Sequence, residues 1–292
     1  MNKSYMDNEV LIFGKNSFVA SGIEETLNKA GYPVDFFTRG NEGRIDTTVL
    51  GKTKDILTNS FFKEKYRYVV NYVVLKDAGV EENIEFIKLL LEFCKKYRVE
   101  KFIHFSSIMV YDYANTRVDE CTPIEPLAKT LKKGYGEIKI AVDEYLWSVK
   151  DSLPFELILV RPGFVLSESV PCPFVKKMPL HFTAIKGNKK SRQPIVKRED
   201  IHLAIRNIIE KPTTMNVYHL FPNDGMTKYK YAKQAVGGVI ITLPKWIFKD
   251  IPYLLSNIGV IPKSLYSRFE GMFIETDFQS QKTEAELQMK FA

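Results

Sequence analysis

Short apolar runs recur along the chain, and between them apolar residues return every three or four positions. "EVLIF" (9–13) reads as a buried strand, and residues 17 to 30 follow as a helix that stops before Gly31. "VDFFT" (34–38) is a second strand and "YRYVVNYVV" (66–74) a third. In the segment 81–97, Ile84, Ile87, Leu90, Leu91 and Cys94 form one helical stripe. "EKFIHFS" (100–106) returns to strand, 134–149 to helix, and "FELILV" (155–160) to strand, broken at Pro162–Gly163. Strand and helix alternating in this way predict an α/β fold, a doubly wound parallel sheet with helices on both faces. After about residue 165 the pattern loosens, and Pro171, Pro173, Pro179 and Pro194 mark an irregular stretch. Residues 1–165 are therefore expected to form the sheet domain and 166–292 a smaller C-terminal region.

Composition narrows this picture. A chain of 292 residues with 45% hydrophobic content can build one large domain or one and a half. It contains no apolar run of the length that crosses a bilayer, and "MNKSYMDNEV" lacks the apolar core of a secretory signal. Cys94, Cys121 and Cys172 are scattered, which fits a reducing compartment and argues against disulfides or a zinc site. A cytoplasmic location is expected. The net charge of +7 comes from lysines spread along the chain, which suits a pocket for a polyanionic small ligand better than a nucleic-acid or membrane surface.

In doubly wound sheets ligands sit at the carboxyl ends of the strands. After the first strand, the spacing G-x-x-G-x-x-G reads Gly14, Ser17 and Ala20. The first glycine allows the tight turn, alanine at the third position still lets helix and strand pack, and serine replaces the glycine that lets backbone approach a pyrophosphate. Its hydroxyl and amide can still donate to phosphate at a helix N-terminus, where Ser17 is expected to sit. This is the loop of a Rossmann-like dinucleotide site. Y-x-x-x-K occurs four times, at Tyr72/Lys76, Tyr97/Lys101, Tyr135/Lys139 and Tyr229/Lys233. Only Tyr135 opens a helix that follows a strand ending in "SSIMVY". There the lysine shares a face with the phenol and is expected to pull its pKa below about 10, poising it for proton exchange with an alcohol or ketone.

Taken together, the ordered segments resemble the extended short-chain dehydrogenase/reductases, and within them the NAD(P)-dependent epimerase/dehydratase family that works on nucleotide sugars. The resemblance is carried by "VLIFGKNSFVASG", "NIEFIKLLLEFCKKYRVEKFIHFSSIMVY", "DECTPIEP", "YGEIKIAVDEYL", "LVRPGFVLS", "PIVKREDIHLAI" and "TDFQSQKTEAELQMKF". It implies a C-terminal substrate-binding region, with about 195–221 returning to the nucleotide domain. It implies Ser107, Tyr135 and Lys139 as the catalytic set, with Ser107 holding the substrate oxygen and Lys139 also holding the nicotinamide ribose. Gly14, Ser17, Phe18, Val19 and Asn71 would meet the cofactor, and Arg192 a substrate phosphate. The partners implied are a nucleotide sugar and a second copy of the chain, paired through the helices at 81–97 and 134–149. No nucleic acid, membrane or metal is expected.

Other residues qualify the resemblance. Ile108 and Met109 replace the acidic pair of the family's dehydratases, which argues against 4,6-dehydration. Met109 also replaces the cysteine of its bifunctional epimerase-reductases. Gly51–Lys52 stands where the family often carries Gly-Asp against adenine. No acid ends the second strand, where it would accept from the ribose of NAD; Arg39 stands there instead and can pair with a 2′-phosphate, favouring NADP over NAD. Three readings stay open: a reductase of a keto deoxysugar nucleotide, a 4-epimerase with tightly held NAD, and a catalytically silent NADP sensor. The stretch 243–269, mixing aromatics and lysines, is expected to form a helix pair capping the substrate pocket, since its prolines break any single amphipathic helix.

Overall fold

Six parallel strands carry the fold: β1 (Glu9–Phe13), β2 (Val34–Phe37), β3 (Tyr66–Asn71), β4 (Lys101–Phe105), β5 (Glu156–Pro162) and β6 (Val217–Leu220), in the spatial order β6-β5-β4-β3-β1-β2. This computed structural model describes residues 9–37, 66–130, 132–166, 175–177, 181–186, 188–243, 246, 250–260 and 276–291. Arg39, Gly51, Lys52 and Cys172 lie outside the described residues. The chain leaves β1 toward β2 on one side and returns to β3 on the other, so the switch point that makes a crevice lies between β1 and β3.

Both faces of the sheet are covered, which is why its strands read as continuous apolar runs. Leu11, Phe13, Val69, Phe102, Leu157 and Leu159 face one way, packing with Phe86, Leu90 and Phe93 of α2 (Val80–Lys96) and Ile138 and Leu146 of α3 (Tyr135–Val149). Val10, Ile12, Val70, Ile103, Ile158 and Val160 face the other way. They meet Ile23 and Leu27 of α1 (Ile23–Lys29) and Ile201, Ile205 and Ile208 of α4 (Arg198–Glu210). Along each strand the two sets alternate, as the pleat requires. The segment beyond residue 195 joins this body, because α4 packs on α1 and β6 pairs in parallel with β5. Of the stretch 243–269, Ile251–Asn257 is helical, while 261–269 lie outside the described residues. No helix among the described residues is long and apolar enough to cross a membrane.

Several element ends differ from the sequence pattern, and side chains account for the differences. β3 stops at Asn71 because Asn71 Oδ1 accepts from the Val73 amide at 3.0 Å and turns the chain out of the sheet. Asn83 then holds the next residues, accepting from the Leu75 amide at 2.9 Å and donating to the Leu75 and Gly79 carbonyls. The buried stripe of α2 accordingly runs through Asn83, Phe86, Ile87, Leu90, Leu91, Phe93 and Cys94, and Ile84 is only half-buried. β5 continues through Pro162, whose missing N–H falls beyond the last rung shared with β4, Phe105 to Val160.

At the centre of the body, side chains from five segments join in one buried chain. Asp143 Oδ2 of α3 accepts from Arg161 Nε and Nη2 of β5 at 3.1 and 3.0 Å and from Ser106 Oγ at 2.7 Å. Arg161 Nη1 donates to Tyr111 Oη at 2.6 Å, and the Tyr111 hydroxyl meets His219 Nε2 of β6 at 2.6 Å. His219 Nδ1 lies 2.6 Å from the Gln279 carbonyl, which only accepts, so Nδ1 carries the proton and Nε2 accepts from the tyrosine. Burial holds His219 neutral, with its pKa pushed down to about 3 from the ordinary 6.5. Between those values the unfolded chain binds a proton that the folded chain refuses, so stability falls as pH drops through that window, by about 1.4 kcal/mol per pH unit at most. Thermal unfolding at stepped pH is expected to show this acid slope. His219→Gln, which keeps an acceptor and a donor but no titration, is expected to make it shallower while buried His104 and His202 keep their share, and an unchanged slope would refute the assignment.

Candidate functional site

The site is built on the carboxyl edge of β1, β3 and β4, where three loops converge. After β1 the chain turns at Gly14, with φ +96°. A Cβ there would also lie 3.1 Å from Val73 Cγ2 and 3.3 Å from Tyr72 Cβ, so both conformation and space require glycine. The Ser17 amide donates to the Gly14 carbonyl at 2.8 Å, and the Ala20 and Ser21 amides donate to the Ser17 carbonyl. Ser17 therefore starts a single turn and not the helix. α1 begins only at Ile23, because Gly22 adopts φ +91° and breaks the ladder. The carbonyl of Val19 accepts instead from His202 Nε2 of α4 at 2.8 Å. Ala20 is buried against the sheet, as a small residue at that position should be.

A cleft of about 810 Å³ runs along this loop, lined by Lys15, Ser17, Phe18, Ser21, Gly22 and Arg198 among others. Lys15 stands on the β2 side, its ammonium 4.9 Å from the centre of the Phe36 ring. Arg198 stands on the α4 side, its guanidinium 5.4 Å from the centre of the Phe18 ring. Together with the tight turn at Gly14, these two cations suit a phosphate-bearing ligand. Asn71, expected at the cofactor, has no exposed surface. Its side-chain amide is occupied by His104 Nδ1 at 3.0 Å and by the Val73 amide, so the side chain shapes the loop after β3.

Ser107 follows β4 and caps a single 3-10 turn, Ile108–Val110, its Oγ accepting from the Met109 amide at 3.2 Å. The helix α3 packs against that turn. Tyr135 is its first residue and is 41% exposed, while Lys139, one turn on, is buried. The Lys139 ammonium lies 5.7 Å from the centre of the Tyr135 ring and donates to the Phe105 carbonyl at the end of β4. The expected lowering of the phenol pKa is not found. Tyr135 is pushed up to about 12, by desolvation first and then by the charge of Asp143. The neighbouring ammonium is the shifted partner: burial brings Lys139 down to about 8, against an opposing pull from Asp143.

Arg192 is paired with Asp277 at 3.0 Å and forms a bridge with Thr227. Asp143 and Arg161, which hold α3, both carry a signal in the sequence. Asp143 lies four residues after Lys139 on the same helical face, and Arg161 follows directly on the apolar run Leu157–Val160. His202 had a weaker signal, a histidine inside the apolar stripe Ile201, Ala204, Ile205 and Ile208.

The sequence profile of the NAD dependent epimerase/dehydratase family matches residues 10–200. No protein of curated function matches the chain significantly by sequence. Among solved structures, a human epimerase family protein with NADPH is 15% identical, with a TM-score of 0.69 over 97% of this chain and 95% of that one. UDP-N-acetylglucosamine 4-epimerase from Bacillus cereus is 13% identical, with a TM-score of 0.65 over 98% of this chain and 94% of that one. Vestitone reductase from alfalfa (Medicago sativa L.) is 14% identical, with a TM-score of 0.62 over 97% of this chain and 93% of that one. At these identities the likeness is one of fold.

The geometry of the first loop can be tested by itself. Gly14→Ala is expected to cost roughly 1–2 kcal/mol from the backbone conformation, plus the displacement of Val73. Ser17→Gly is expected to be close to neutral. Equal melting temperatures for Gly14→Ala and the parent protein would contradict this loop geometry.

Proposed function

The chain belongs to the NAD dependent epimerase/dehydratase family, and from that premise we propose that it is an NADPH-dependent reductase acting on a keto group of a deoxysugar nucleotide. One observation supports this reading. Tyr135 stands half-open at the sheet edge with the buried Lys139 ammonium 5.7 Å from the centre of its ring, and its phenol, protonated at neutral pH, can give its proton to a carbonyl oxygen.

The residues at the sheet edge divide the work. Ser107 donates its hydroxyl hydrogen to the substrate carbonyl oxygen and polarises it. Tyr135 gives its proton to the same oxygen as the carbonyl carbon accepts a hydride, so a ketone becomes an alcohol. A bound reduced nicotinamide supplies that hydride. Lys139, fixed on the Phe105 carbonyl, keeps its charge beside the phenolate that the transfer leaves and stabilises it. The loop Gly14–Val19 would hold the dinucleotide phosphates, and Lys15 at the β2 side adds a positive charge that favours NADP over NAD. Arg192 would take a substrate phosphate by exchanging its surface partner Asp277.

Supplying a 4-keto-6-deoxy nucleotide sugar with NADPH is expected to consume one cofactor per alcohol formed. Tyr135→Phe should bind NADPH and lose turnover by at least about a hundredfold. Interconversion of two sugars with no net use of cofactor would make the protein an epimerase, and activity of Tyr135→Phe within about tenfold of the parent would remove the tyrosine from the chemistry. Because Lys139 titrates near 8 and acts in its charged form, turnover is expected to fall as pH rises through about 8. A rate that is flat from about pH 7 to 9 would contradict that role.

A further inference from the structure

We infer that Arg198 is a ligand for the pyrophosphate of the bound dinucleotide, so that the C-terminal half of the chain supplies a charge to the cofactor site. This rests on the reading that the loop Gly14–Val19 holds a nicotinamide dinucleotide. Arg198 is the first residue of α4 and lines the cleft that runs along the loop. Its guanidinium lies over Phe18, in the second half of the loop, whereas Lys15 covers Phe36 on the β2 side. The two cations therefore flank the loop from opposite ends, and Arg198 is the one beside the turn that Ser17 opens. That turn is where a pyrophosphate would meet backbone amides.

The guanidinium is short of acceptors. Its Nε is buried with no hydrogen-bond partner among the described residues, and its Nη2 is paired with the carboxylate of Glu199 at 3.4 Å. A planar fork with N–H groups to spare at the wall of a cleft fits two phosphate oxygens. The carboxylates of Glu24 and Glu25 also line the cleft, on α1, and Glu25 is paired with Lys29 at 2.7 Å. One helical turn beyond Arg198, His202 donates to the Val19 carbonyl, so α4 meets two successive loop residues, Phe18 and Val19.

The test is fluorescence titration of NADPH and of NADH against the parent protein, Arg198→Met and Arg198→Lys. The expected result is that Arg198→Met weakens both dinucleotides about ten- to a hundredfold, while Arg198→Lys weakens them less and both variants melt as the parent does. Unchanged affinities in Arg198→Met would overturn the inference. So would loss of NADPH affinity alone, which would place the guanidinium at the 2′-phosphate. A parent protein that binds neither dinucleotide would overturn the functional reading, and this inference with it; binding by the parent with no effect of Arg198→Met would leave that reading intact and remove only Arg198.

Discussion

One buried ion pair fixes the position of the helix that carries Tyr135 and Lys139. Asp143 and Arg161 are both almost without exposed surface, and each would be costly to bury alone. Their pairing brings α3 to the end of β5 and, through Ser106, to the end of β4. Tyr135 and Lys139 stand on the same helix, so their height above the sheet edge is set by a carboxylate one turn beyond the lysine. The same charge acts on their chemistry. It pulls the pKa of both the phenol and the ammonium upward, holding the first protonated and opposing the fall of the second.

The pair also ties the two halves of the chain together. Arg161 continues through Tyr111 to His219 and the Gln279 carbonyl, so the last strand of the sheet and the C-terminal segment are bonded to α3 through side chains. α4 reaches back to the first loop in a similar way, with His202 on the Val19 carbonyl and Arg198 over Phe18. Residues far apart in sequence thus shape both ends of the candidate site, Tyr135 at one and the Gly14 loop at the other.

The sheet was legible because both of its faces are buried, and the apolar runs at β1, β3, β4 and β5 have no other reading in a chain with helical stripes between them. The Tyr135/Lys139 pair was legible from its place after β4. What periodicity could not show is where side chains and glycines redirect the backbone. Asn71 ends β3 and Gly22 delays α1, and neither act leaves a trace in the apolar pattern. The direction of the Tyr135 shift was also hidden, since spacing brings the lysine near but says nothing of the burial and the Asp143 charge that outweigh it.

The dependence on the ion pair can be measured directly by a double-mutant cycle, Arg161→Met, Asp143→Leu and the two combined, followed by chemical denaturation. Each single change leaves a buried charge unpaired and is expected to cost about 3–5 kcal/mol, while the double change should recover much of that loss. Single costs that are small and simply add would show that the pair does not hold the helix, and the position of Tyr135 would then need another cause.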